Sequence, residues 1–195
     1  TKLWIIPGAL TAVLFPHFAA ELASRTHFAR ETFFKALLWL FAAIFPVSLF
    51  IFAFAYDLLA IWVGDSFAAE SYKILSLFAV GILINCMAHI PYTLIQSAGN
   101  TRLTAVIHLI ELPVFIALLY WLVSLYGGVG AAVAWCVRMT IDAALMYWFG
   151  LKVIGVRLRE IVLRVIFWMA ICSLSFGLVL AGGVEVDVVV CLVVG

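Results

Sequence analysis

Long apolar runs separated by short polar segments set the pattern of this chain. Runs of about 20 residues match a bilayer's hydrocarbon layer at the rise of an α-helix. They are continuous, without the alternation of membrane β-barrel strands, so they predict helices. The first run covers residues 3–18. The second covers 36–56 with Pro46 near its middle, a placement membrane helices tolerate because neighbouring groups re-satisfy the freed carbonyl. The third is 74–97, the fourth 103–125, the fifth 129–151 and the sixth 165–181, and the last residues open a seventh. The pattern therefore predicts an all-α fold, a polytopic transmembrane helical bundle of about six spans plus the start of a seventh. The chain opens Thr-Lys-Leu-Trp, without an initiator Met or a signal-peptide pattern, and stops inside an apolar run. The expectation is a piece of a longer protein.

The polar segments add orientation. Residues 21–35 hold Glu21, Arg25, His27, Arg30, Glu31 and Lys35. Glu21/Arg25 and Glu31/Lys35 are spaced i,i+4, which predicts a short interfacial helix. Residues 57–73 read as an outer loop with three acids and one base. Its apolar part, 58–63, is too short to span and suits the interface, with Trp62 and Tyr72 as anchors. The basic residues Arg25, Arg30, Lys35, Arg102, Lys152, Arg157, Arg159 and Arg164 all follow odd-numbered spans. The other connections hold Lys73, and Lys2 stands at the start. By the positive-inside rule the first set is cytoplasmic.

Composition removes the soluble alternative. The chain is 68% hydrophobic and 11% charged, with a mean hydropathy of +1.27. Soluble domains are about 45–50% apolar and about 25% charged. Membrane lipids are the expected surroundings, and nothing indicates a nucleic-acid partner. Cys86, Cys136, Cys172 and Cys191 all lie in apolar runs. They lack metal-ligand spacing and read as small hydrophobes at helix contacts. No phosphate-binding loop, nucleophile elbow or paired metal-ligand motif is present, so no cofactor or metal is expected.

What chemistry there is lies inside the spans. In the third, Asn85, His89, Tyr92 and Gln96 recur at spacings of four, three and four, one face of a helix. In the fourth, Thr104, His108 and Glu111 do the same, and in the fifth Arg138 and Asp142 are four apart. Counted from the cytoplasmic ends, His89, Glu111 and Asp142 fall at one depth, about 12–14 Å from the inner surface, with Arg138 one turn further out. A charge at the bilayer centre costs roughly 2.5–3.5 kcal/mol on insertion scales, so such groups turn inward or face water. Arg138 and Asp142 can simply neutralise each other. His89 and His108 can be interhelical hydrogen-bonders, and Asn85 and Gln96 packing contacts. Pro91 and Pro113 are kinks or hinges. Alternatively these helices wall a polar cavity, with Arg138, Asn85 and Gln96 as substrate-binding candidates and Glu111, Asp142 and His89 as ion-coupling candidates. An intramembrane transferase using a His with an Asp is a rival of another class.

Several pieces also occur in a familiar order: LFPHFAAELA closing a span, a basic linker, IWVGDSF, PYTLIQSAGNTRLT and YGGVGAAVAWCV. Over residues 10–152 the chain resembles the polysaccharide flippases of the multidrug/oligosaccharidyl-lipid/polysaccharide exporter superfamily. The pieces that match are Pro16, Gly64, the Ala98-Gly99-Asn100 turn and the small-residue run at 127–134. The resemblance implies one bundle of a pseudo-symmetric transporter. Residues 1–152 would form most of its carboxy-terminal bundle, and residues 153–195 additional, truncated membrane helices. The amino-terminal bundle of the same protein would be the missing partner. It also implies a lipid-linked oligosaccharide substrate, carried on undecaprenyl pyrophosphate to the outer leaflet of a bacterial inner membrane. An ion-coupled drug or cation exporter of the same superfamily is the alternative.

Overall fold

The computed structural model describes residues 5–24, 26–156, 170–172 and 174–179. Five helical elements make up its main body: α1 (Ile5–Ser24), α2 (Thr26–Ala53), α3 (Ala55–Trp62), α4 (Asp65–Ser97) and α5 (Thr101–Val153). The sequence expectation of an all-α transmembrane bundle holds. α2 from His27, α4 and α5 are each long and apolar enough to cross a membrane. The expected sixth span is described only at 170–172 and 174–179, which are helical, and the start of the seventh lies outside the described residues.

α5 is two helices, not one. Gly127 has φ 58° and ψ −134°, a conformation closed to residues with a Cβ, and the chain reverses there. Pairs across the reversal run in opposite directions: Gly130 against Leu122, Arg138 against Phe115, Asp142 against His108. The limbs, 101–126 and 128–153, are therefore the antiparallel fourth and fifth spans expected from the sequence. A Cβ at Gly130 would overlap the Leu122 carbonyl, so the small residues after the turn are what let the limbs close.

α4 is the hub, touching α1, α2, α3 and α5. It runs parallel to the 128–153 limb, and the seam is read from paired contacts at successive levels. Cys136 Sγ donates to the Leu77 carbonyl at 3.2 Å. The ring of Trp135 occupies the space a Cβ on Gly81 would need. Tyr147 OH donates to the Met87 carbonyl at 3.2 Å, and Gly150 lies against Pro91. On the other side α1, α2 and α4 share an apolar core in which Phe18, Phe33, Leu40, Ile44, Ile90 and Leu94 are fully buried.

Two expectations are corrected. Residues 26–35 are not a separate interfacial helix; they are the first turns of α2. The Glu31–Lys35 pair closes at 3.4 Å, and Arg25 of the other expected pair lies outside the described residues. Glu21 accepts a hydrogen bond from Thr32 Oγ1 across the α1–α2 junction, at 2.8 Å. The presumed loop at 57–73 is likewise mostly helix, divided between α3 and the start of α4. Its apolar stretch forms α3, where Ile61 and Trp62 are 87% and 84% exposed, as an interfacial segment requires.

Candidate functional site

The fourth span wears its apolar residues outside. Leu109 and Ile110 are 70% and 63% exposed, whereas Glu111 beside them is 8% exposed. A water-soluble helix would show the reverse; lipid outside and polarity inside explain it. The helix turns Glu111 and His108, three residues apart, onto the face that meets the fifth span. Asp142 enters from that span by virtue of the Gly127 reversal.

The three side chains converge. His108 Nδ1 lies 3.3 Å from Asp142 Oδ1 and 3.6 Å from Glu111 Oε2. One donor atom from each residue falls within 4.8 Å of the others. Both Glu111 oxygens and Asp142 Oδ1 are buried without a hydrogen-bond partner. His108 is 40% exposed and so forms the open side of the cluster. His89 of α4 is within electrostatic reach of Asp142, and the Tyr92 ring lies 6.0 Å from that of His108. Groups of the fourth and fifth spans thus meet at Glu111, His108 and Asp142, with His89 of the third span within electrostatic reach of Asp142.

Arg138 is close to this cluster without joining it. It interacts electrostatically with both carboxylates, but neither is within ion-pair distance. Its guanidinium sits over the Phe115 ring, 5.1 Å from the centroid, and its Nε is buried without a hydrogen-bond partner. The simple Arg138–Asp142 pair along one helix is thus not formed.

The polar stripe of α4 divides. His89, Tyr92, Thr93 and Gln96 line a cleft of about 210 Å³ that α1 closes with Gly8, Thr11, Ala12 and Phe15. There Gln96 Nε2 donates to Tyr92 OH at 2.6 Å. Asn85, on the same sequence stripe, turns to the fifth span. Its Nδ2 donates to Met139 Sδ at 3.0 Å and its Oδ1 is buried without a partner. The substrate-binding candidates Arg138, Asn85 and Gln96 therefore occupy three separate places. Of the ion-coupling candidates, Glu111 and Asp142 come together around His108, and His89 acts electrostatically on Asp142. The residue under-read from sequence is His108, whose place between two carboxylates depends on the register of the hairpin.

Fold and site together define a multi-pass helical membrane protein whose ionisable residues are gathered inside the span region. Comparison with known proteins places it further. A model of the MatE family matches residues 19–122, and the chain belongs to that family. It is also 36% identical over 147 residues to the Shigella flexneri protein named "Putative O-antigen transporter". The match takes in 75% of this chain and 35% of that protein's length. No solved structure matches significantly.

Proposed function

We propose that this chain is part of a flippase that moves a lipid-linked oligosaccharide from the cytoplasmic to the outer leaflet of a bacterial inner membrane, for surface polysaccharide synthesis. The observation that carries this reading is the 36% identity, over 147 residues, to the protein named "Putative O-antigen transporter". Membership of the MatE family, not the lack of an enzyme motif, sets aside the intramembrane transferase. Residues 1–152 are read as most of one transporter bundle. The loop after α4 and the basic residues after the fifth span are read as cytoplasmic.

A substrate of this class carries a pyrophosphate, a sugar unit and an apolar tail. Arg138 is suited to the phosphates: its guanidinium stays charged, presents a planar fork and is not consumed by either neighbouring carboxylate. Gln96 and Tyr92 offer amide and hydroxyl groups to sugar hydroxyls. Glu111, Asp142 and His89, with His108 between them, are the groups through which an ion gradient would drive the cycle. That same cluster favours the second reading, an ion-coupled drug or cation exporter.

The test uses the full-length protein in a flippase-deficient strain, with surface polysaccharide as readout and membrane abundance as control. Arg138→Ala should abolish export. Adding Asp142→Ala should restore abundance but not export, and Arg138→Lys should remain impaired. A double mutant that exports normally would remove Arg138 from phosphate recognition. Failure of the intact protein to complement, with export of a cationic dye instead, would favour the second reading.

A further inference from the structure

The geometry points to a binding site for a divalent transition-metal ion of the Zn²⁺ class, held by His108, Glu111 and Asp142 between the two limbs of α5. The sequence places only His108 and Glu111 at a helical i,i+3 spacing, and the third ligand comes from across the Gly127 reversal. The first argument is the unmet demand of the carboxylates. Glu111 is 8% and Asp142 10% exposed at the side chain. Glu111 Oε1, Glu111 Oε2 and Asp142 Oδ1 all lack a hydrogen-bond partner. One imidazole Nδ1–H can serve one of these oxygens, not both. Arg138 acts on the pair electrostatically without an ion-pair contact to either carboxylate. Two buried carboxylates at one level therefore call for more positive charge at the point where they meet.

The second argument is shape. Ligand atoms at about 2.0–2.2 Å from a tetrahedral ion lie about 3.3–3.6 Å from one another. The His108–Asp142 and His108–Glu111 separations, 3.3 and 3.6 Å, already equal such an edge. The three donor atoms lie within 4.8 Å of one another, so closing the site asks only for a small rotation of the Glu111 or Asp142 carboxylate. An imidazole with two carboxylates suits Zn²⁺, Co²⁺ or Ni²⁺ better than Mg²⁺ or Ca²⁺. His108, exposed on one side, leaves a fourth position for water. A bound ion would tie the fourth span to the fifth and hold the hairpin in one register.

The experiment adds Co²⁺ to the full-length, tag-free protein in detergent and records its visible absorption. This readout owes nothing to transport, so it stands or falls apart from the flippase reading. The wild type should give d–d bands of a four-coordinate ion at one equivalent, removed by competing Zn²⁺ and unaffected by excess Mg²⁺. His108→Ala, Glu111→Gln and Asp142→Asn should each weaken Co²⁺ binding at least tenfold, while His27→Ala leaves it unchanged. His108→Cys should keep the site and add a near-ultraviolet thiolate-to-cobalt band, which places the ion at this position in a folded protein. Absence of d–d bands in the wild type would overturn the assignment. So would bands that persist in all three ligand variants, or a His108→Cys protein that binds Co²⁺ without the thiolate band.

Discussion

The fifth span has two seams, and they are built on opposite terms. Toward α4 it interlocks: Trp135 fills the room left by Gly81, and Gly150 lies against Pro91. Its polar contacts there end on backbone carbonyls or on a sulfur atom. Toward the fourth span it brings Asp142 and Arg138 against His108, Glu111 and Phe115. Without a hydrophobic driving force between helices in lipid, close packing holds the first seam. The second seam carries unpartnered carboxylate oxygens that weaken it as a contact. The difference teaches where function can reside. The first seam stores one unpartnered amide oxygen, on Asn85, and the second stores three carboxylate oxygens, so the second has more to offer a ligand and must be held in place by something else.

The comparison breaks most severely at Gly81. Gly81→Val would drive two methyl groups into the Trp135 ring, at a cost of about 1–3 kcal/mol or more for overpacking. The expected outcome is loss of monodisperse protein in size-exclusion chromatography. Trp135→Leu should recover part of it, with a coupling of about 0.5–3 kcal/mol in a double-mutant cycle of thermal stability. Additive effects would mean that the two residues do not meet.

The opposite seam should respond in the opposite way. Glu111→Gln and Asp142→Asn each remove a buried charge that lacks full compensation, so thermal stability should hold or rise by about 1 kcal/mol while export falls. Their pH profiles of export should also change shape. Unaltered profiles in both variants would remove these carboxylates from ion coupling. Loss of stability comparable to Gly81→Val would erase the contrast between the seams.

Smaller effects sharpen the outline. Asn85→Leu removes a weak donor–sulfur contact and a buried unpartnered oxygen, and should shift stability by less than about 1 kcal/mol with export retained. Reduced export at normal abundance would return Asn85 to the substrate path. For orientation, a cysteine at Arg102 in the intact protein should resist an impermeant thiol reagent in whole cells, and one at Ser66 should react.

Charges in apolar runs made Glu111, Arg138 and Asp142 visible in the sequence, and the spans around them were placed within a few residues. Where helices stop was less legible, because hydropathy marks the edge of lipid and backbone geometry marks the end of a helix. Residues 26–35 are polar and still helical, and α4 begins nine residues before the apolar run at Ile74. It stops where the sequence said, since Gly99 adopts φ 81° and the Gly99 and Asn100 amides bond back to the Gln96 and Ile95 carbonyls. Spacing alone puts Asn85 to Gln96 on one helix face. α4 has neighbours on several sides, so a shared stripe did not mean a shared partner. His108 was legible as polar but not as central, because its meaning depends on which residue of the next helix comes opposite.

The Gly127 reversal also bears on how the protein enters the membrane. Glu111, His108, Arg138 and Asp142 all belong to one hairpin, so the partial compensation they give one another needs no helix made earlier or later. Inserted singly, the Asp or Arg of the fifth span would face a penalty of roughly 2.5–3.5 kcal/mol at the bilayer centre. Released from the translocation channel as a pair, the two limbs present lipid with the exposed face of Leu109 and Ile110, while both acids already face His108. The turn thus sets the unit of insertion, and synthesis only has to reach about residue 153 for that unit to be complete.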